Sequence, residues 1–130
     1  MTSPEPQPEP QPKAHSDLHN LRDLLREFVQ ERDWSGFHTP KNLATALSVE
    51  ASELLEPFQW LTTGEGEELG AEKLAAVRHE LADVLAYLIQ LADRLDVDLY
   101  DALIEKMELN RKKYPADKVR GDARKYSEYE

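Results

Sequence analysis

Two stretches of the sequence place an acidic pair on the apolar side of a predicted helix. In residues 43–60, leucines recur with helical spacing, and at about 100° per residue Glu50 falls within their arc. In residues 76–91, Glu80 shares an arc with two valines and a leucine. In each stretch a second acid follows three positions later, about 60° to one side. The two pairs are Glu50 with Glu53 and Glu80 with Asp83.

Inward-facing carboxylates restrict what the fold must provide around them. Such groups repel one another and lose hydration, so they need protons, basic partners or metal ions. Oxygen ligands suit Mg²⁺ or Mn²⁺ and are a poor match for zinc, which favours a divalent metal site. Buried salt bridges to Lys106, Lys113 or Arg78 are the alternative. A di-iron site would need Glu-x-x-His on two helices, and His79 precedes Glu80 and points about 100° away from it.

Helical periodicity dominates the rest of the chain, and no segment has strand alternation. Pro57 should kink or end the second helix. The third helix is apolar on nearly all sides between residues 81 and 92, so another subunit should cover part of it. The predicted fold is therefore all-α, a four-helix bundle-like arrangement that oligomerises. The four predicted helices span about 17–32, 40–60, 71–95 and 99–113, with a glycine-rich connector at 62–70.

The chain divides into a leader and one domain. Residues 1–15 carry prolines at alternate positions, which predicts a disordered leader. Residues 16–130 predict a single all-α domain whose last part, from about residue 114, is irregular and basic. Neither the apolar centre of a signal peptide nor a run long enough to span a membrane is present. We therefore expect a cytoplasmic protein without membrane contact.

The charge balance narrows the class of partner. A formal charge of −10 argues against nucleic-acid binding, because a polyanion would be repelled. The absence of cysteine excludes disulfides and thiolate metal sites. A small phosphorylated substrate remains possible if cations mediate its binding. Residues 111–125 are basic and could contact phosphates, or could equally pack onto the acidic body.

An aromatic loop separates the first two helices. Residues 33–40 contain Trp34, Phe37 and His38 around Gly36. Aromatic faces can stack on a flat ring such as a nucleobase. The alternative is a hydrophobic plug over the end of the bundle.

These motifs together resemble those of a known family. The sequence is similar to the all-α nucleoside triphosphate pyrophosphohydrolases of the MazG-like superfamily, and most similar to their dCTP pyrophosphatase branch. The resemblance covers about residues 18–126. Besides the carboxylate pairs, it rests on ERDWSGFHTPKNLATAL, FQW, ELADVLAYLIQLA, KMELNRKKYP and RGDARKY.

The resemblance implies a role for individual positions. The four acids match the family's Mg²⁺ ligands, and family members resemble one another in forming homotetramers with sites near subunit contacts. Two further sets correspond to substrate-binding positions. Those near the base and sugar are Trp34, His38, Trp60, Tyr87 and Asn110, and those near the phosphates are Lys106, Lys113 and Tyr114.

The resemblance also implies the reaction. We expect Mg²⁺-dependent (or Mn²⁺-dependent) cleavage of the α/β linkage of dCTP-like or base-modified triphosphates, giving a monophosphate and pyrophosphate. Glu53 is the candidate catalytic residue that orients or deprotonates the attacking water. The alternatives are a related hydrolase with another substrate, such as dUTP, and a non-catalytic helical interaction protein.

Overall fold

Helices make up most of the described chain. The computed structural model of the protein describes residues 3–6 and 16–121, and within these ranges it contains no strand. The prediction of an all-α fold is confirmed. Two short 3-10 turns, Ser35–Phe37 and Glu56–Phe58, lie before and after the second helix. The helices are α1 (Ser16–Glu31), α2 (Pro40–Leu55), α3 (Gly66–Arg94), α4 (Leu99–Lys113) and α5 (Ala116–Val119).

Local capping sequences fix where α2 and α4 begin. Thr39 Oγ1 accepts a hydrogen bond from the Asn42 backbone N–H at 3.2 Å, and Pro40 occupies the first helical position. The Asp98 carboxylate accepts from the Asp101 backbone N–H at 3.0 Å and caps α4 in the same way. Both starts lie where the sequence predicts them.

The connection between α2 and α3 differs from the prediction. Helix α2 ends at Leu55 and continues only as the 3-10 turn that contains Pro57, whose ring cannot occupy a helix interior without losing a hydrogen bond. Helix α3 begins at Gly66, inside the predicted connector. Its first turn is offset from the remainder at Gly70, where a φ of 76° is easily adopted by glycine alone. Glu68 Oε1 accepts from the Thr63 and Gly64 N–H groups at 2.9 and 2.7 Å and closes the connector.

Composition predicts a disordered leader at one end of the chain and an irregular, basic segment at the other. Residues 3–6 of the predicted leader are exposed and form neither helix nor strand, and the rest of residues 1–15 lie outside the described ranges. The C-terminal segment predicted to be irregular contains the single-turn helix α5. Its basic part beyond residue 121 also lies outside the described ranges.

The main packing contact joins α2 and α3, with α1 packed on α3. Among the described residues four apolar side chains are buried, and three of them belong to α3. Leu43, on α2, is 1% exposed. On the α1 side, the Arg26 guanidinium donates to both carboxylate oxygens of Asp93 at 2.8 and 2.5 Å, which ties α1 to α3.

Apolar surface remains uncovered on α3 and α4. Helix α4 makes only sparse contacts with the other elements. A single chain therefore does not bury the third helix on all sides, as its composition would require. None of the helices in the described ranges has the length and apolar character needed to cross a membrane. The exposed large apolar side chains of these two helices include Leu74, Leu81, Leu85, Leu88, Leu103, Ile104 and Met107.

Candidate metal and substrate site

Three of the predicted acids converge where α2 packs on α3. Glu50 comes from α2, and Glu80 and Asp83 lie one turn apart on α3. One carboxylate oxygen of each lies within 4.8 Å of the others. Glu50 and Glu80 are half-buried and Asp83 is exposed. The helical spacing read from the sequence thus brings these three groups to one point.

Two oxygens of this group lack a protein partner. Glu50 Oε2 and Glu80 Oε2 are buried, and within the described ranges neither has a hydrogen-bond partner. A buried carboxylate oxygen left unpaired is costly, so native structures satisfy such atoms with water, an ion or a ligand. Neither Arg78 nor Lys106 forms an ion pair within residues 16–121. An all-oxygen group of this kind fits a divalent cation such as Mg²⁺ or Mn²⁺.

Within the acidic group, Glu50 has a clearly raised pKa. The neighbouring Glu53 carboxyl, burial of the Glu50 carboxyl and the nearby Glu80 carboxyl together raise the pKa of Glu50 to about 7. Glu53 therefore lies beside Glu50, one turn further along α2. It is half-buried and stands outside the group of three whose oxygens converge. Bringing a cation here would displace a proton from Glu50 near neutral pH.

The aromatic loop lies toward the other end of the α2–α3 contact. The Trp34 ring meets the Phe28 ring edge-on at 5.8 Å and tilts against the His38 ring at 6.3 Å, measured between centroids. Trp34 and Phe37 are 41% and 70% exposed, so the loop is not a buried plug. His38 is half-buried and lines a cavity of about 130 Å³ between α1, α2 and α3.

The remaining predicted residues occupy different parts of the fold. Trp60 follows the Glu56–Phe58 turn and is 88% exposed. Tyr87 is half-buried on α3, four residues after Asp83. Along α4, Lys106 is exposed and Asn110 is half-buried, and no hydrogen bond or ion pair joins their side chains to the acids within the described ranges.

The segment at the end of α4 carries the other predicted phosphate contacts. Lys113 is exposed and Tyr114, which follows the last residue of α4, is half-buried. The Tyr114 backbone N–H donates to the Asn110 carbonyl at 2.8 Å. Helix α4, which carries Lys113 and leads into Tyr114, packs only sparsely on the other helices.

One residue of this region was missed by sequence reasoning. Gln90 Oε1 accepts a hydrogen bond from His38 Nδ1 at 3.0 Å, and Gln90 lines the same cavity. The signal was its position on α3, seven residues after Asp83 and so on the same face. A glutamine at that position is an ordinary surface residue unless its partner is known.

Comparisons with known proteins agree with this arrangement. The MazG-like family profile matches residues 45–129. The chain is 47% identical to human dCTP pyrophosphatase 1 over 97% of its own length and 69% of that protein. The mouse protein of the same name is 46% identical with the same coverage. Among solved structures, a pyrophosphatase from Archaeoglobus fulgidus superposes with a TM-score of 0.72 at 43% identity, covering 79% of this chain and 96% of that one.

The helical fold, the acidic group and these similarities define the protein as an all-α hydrolase. Within that class, the chain belongs to the MazG-like family. The predictions of the family and of an enzyme are confirmed, and the interpretation as a non-catalytic interaction protein is set aside.

Proposed function

We propose that the protein hydrolyses dCTP at the α/β linkage to dCMP and pyrophosphate, with Mg²⁺ held by Glu50, Glu80 and Asp83. The observation that carries this proposal is the pair of buried carboxylate oxygens, Glu50 Oε2 and Glu80 Oε2, that have no protein partner within the described ranges. The substrate follows from the relatives, which are named dCTP pyrophosphatases. Base-modified forms of dCTP belong to the same proposal.

The acidic residues have different roles in the proposed reaction. Mg²⁺, when bound, offsets the charge of the carboxylates and of the triphosphate and makes water a better nucleophile. Glu80 and Asp83 lie one turn apart on α3, so both would be ligands of the ion. Glu53 lies next to Glu50 and outside the converging group, which leaves its carboxylate available to orient and deprotonate the attacking water. Mn²⁺ has similar ligand preferences and should substitute.

The aromatic loop receives the base in this proposal. The Trp34 ring is tilted against the His38 ring. Trp60 follows α2, at the end of that helix opposite the loop, and is assigned to the base from the resemblance. Tyr87 lies on α3 between the acids and the loop, close to where the sugar would bind. Asn110 is assigned to the sugar and base from the resemblance.

Completion of the site involves a second copy of the chain. The uncovered apolar faces of α3 and α4 are complementary in character, and burying them between copies would cover what one chain leaves exposed. Such an assembly, which we propose to be a homotetramer, would place α4 and its phosphate-contacting residues near subunit contacts. That set is Lys106, Lys113 and Tyr114. The proposed setting is the cytoplasm, without nucleic-acid or membrane partners.

Phosphorus NMR of the products tests the reaction. With Mg²⁺, dCTP should give pyrophosphate and dCMP, and dUTP should be hydrolysed more slowly. Chelation of the metal should stop the reaction. Glu80→Gln removes one ligand and should lower kcat/KM by more than about 100-fold, whereas the matched control Glu72→Gln, on an exposed part of α3, should not. Orthophosphate as the product, or full activity in Glu80→Gln, would contradict the proposal.

A further inference from the structure

The hydrogen bonds of Gln90 fix the orientation of its side-chain amide. The Gln90 Nε2 group donates to the Ala86 carbonyl at 3.1 Å, four residues earlier on α3. A carbonyl oxygen only accepts hydrogen bonds, so the amide nitrogen, and not the amide oxygen, must face it. The amide oxygen Oε1 is then the atom that faces His38 Nδ1, at 3.0 Å.

This orientation determines which nitrogen of His38 carries the proton. An amide oxygen is an acceptor only, so the ring nitrogen opposite it must be a donor. In a neutral imidazole one nitrogen donates and the other accepts. With Nδ1 protonated, Nε2 carries the lone pair and accepts. Within residues 16–121, Nε2 has no hydrogen-bond partner, so this acceptor remains available on the ring that lines the cavity.

The cavity that His38 lines lies along the α2–α3 contact from the acidic group. Leu43 and Gln90 line the same cavity, and Leu43 precedes Glu50 by seven residues while Gln90 follows Asp83 by seven. Two helical turns separate the two ends on both helices, about 10 Å along the axes. A nucleotide whose phosphates lie at the acids would extend its base toward His38.

We propose that Gln90 is a positioning residue that holds His38 in the Nδ1–H tautomer, so that Nε2 accepts a hydrogen bond from the 4-amino group of cytosine. The inference rests on the proposed function, since it presumes a nucleotide in this groove. Uracil carries a carbonyl at the same place, which would set two acceptors against each other. Discrimination between the two bases then depends on a residue that does not touch the substrate.

The tautomer can be measured without any enzyme activity. Long-range proton–nitrogen NMR correlations of the full chain, labelled with ¹⁵N, distinguish the Nδ1–H from the Nε2–H form of each histidine ring. His38→Asn identifies the His38 signals among the four histidines. We expect the Nδ1–H form in the wild type at pH 8 and a mixture of forms in Gln90→Leu. The matched control is Gln30→Leu, which alters a glutamine on another wall of the same cavity and should leave the tautomer unchanged.

Substrate preference gives the second measurement. Gln90→Leu should lower the ratio of kcat/KM for dCTP to that for dUTP by about 5- to 10-fold, the effect expected for one hydrogen bond. The change should come mainly from dCTP, which should be hydrolysed more slowly, while dUTP should be hydrolysed at an unchanged or higher rate. A variant that merely loosened the fold would slow both alike. Gln30→Leu should keep the wild-type ratio.

The outcomes separate this inference from the proposed function. An Nε2–H or mixed tautomer in the wild type overturns the inference, whatever the enzyme hydrolyses. The Nδ1–H form together with an unchanged ratio in Gln90→Leu overturns the role in specificity. If neither triphosphate is hydrolysed, the proposed function fails, and the role in specificity fails with it, while the NMR result still decides whether Gln90 holds the tautomer.

Discussion

The raised pKa of Glu50 predicts that metal binding depends on pH near neutrality. Neighbouring carboxyl groups and burial raise this pKa to about 7, so at pH 6 a cation must displace a proton from Glu50, and at pH 8 it need not. Simple competition weakens the apparent affinity by a factor of about 11 at pH 6 and about 1.1 at pH 8. Binding of Mn²⁺ to the metal-free protein should therefore be about tenfold tighter at pH 8.

The same shift predicts the direction of a stability change. The pKa of Glu50 in the folded, metal-free chain exceeds its ordinary value of 4.5. Between pH 4.5 and about 7 the folded chain holds a proton that the unfolded chain has released, so stability should fall as the pH rises through this window. Glu50→Gln cannot ionise and should remove this fall. Urea unfolding across the window measures it.

Electron paramagnetic resonance of free Mn²⁺ gives the affinity directly at each pH. Glu50→Gln should bind more weakly at pH 8 and lose the dependence on pH, while Glu72→Gln should behave as the wild type. Equal affinities at pH 6 and pH 8, or an unchanged pH dependence in Glu50→Gln, would refute the reasoning, because the proton would then not compete with the ion.

Three further changes test the packing. Leu43→Ala, at a side chain 1% exposed, should lower the free energy of unfolding by about 2–5 kcal/mol in urea, and a loss below about 1 kcal/mol would mean that the α2–α3 contact does not depend on it. The guanidinium of Arg26 lowers the pKa of Asp93, so Asp93→Asn should lower the free energy of unfolding by up to about 1 kcal/mol at pH 7. This loss should shrink as the pH falls through the pKa of Asp93 in the folded protein. An equal loss at pH 2.5 would contradict this expectation. Leu85→Glu should shift the assembly to smaller species in native mass spectrometry, and an unchanged mass would remove α3 from the interface.

Local signals in the sequence predicted the helices best. Helix α2 begins at the cap formed by Thr39 and Pro40, and α4 begins at the cap formed by Asp98. The geometry of both caps involves only residues close in sequence. Prediction failed where several local outcomes compete. Pro57 could either kink α2 or end it. Glycines allow either a connector or a helical turn, so the start of α3 near Gly70 depended on the hydrogen bonds that Glu68 accepts from the loop backbone.

The site was predictable to the extent that it depends on helical spacing. The arc positions of Glu50, Glu80 and Asp83 follow from periodicity, and the structure brings them together. The pairing of His38 with Gln90 joins residues fifty-two positions apart, and neither residue's local pattern reveals the other. The position of α4 could not be predicted from the sequence either, because the apolar face of a helix does not specify which surface covers it.

We propose above all that the acids between α2 and α3 hold a divalent ion that engages a nucleotide's phosphates. A crystal grown with Mn²⁺ and a non-hydrolysable analogue of dCTP tests it most directly, since Mn²⁺ is located by its anomalous scattering. We expect an anomalous peak bounded by Glu50, Glu80 and Asp83 and in contact with the triphosphate. Those carboxylates turned to bulk solvent, or neutralised by lysines with no ion between them, would contradict it.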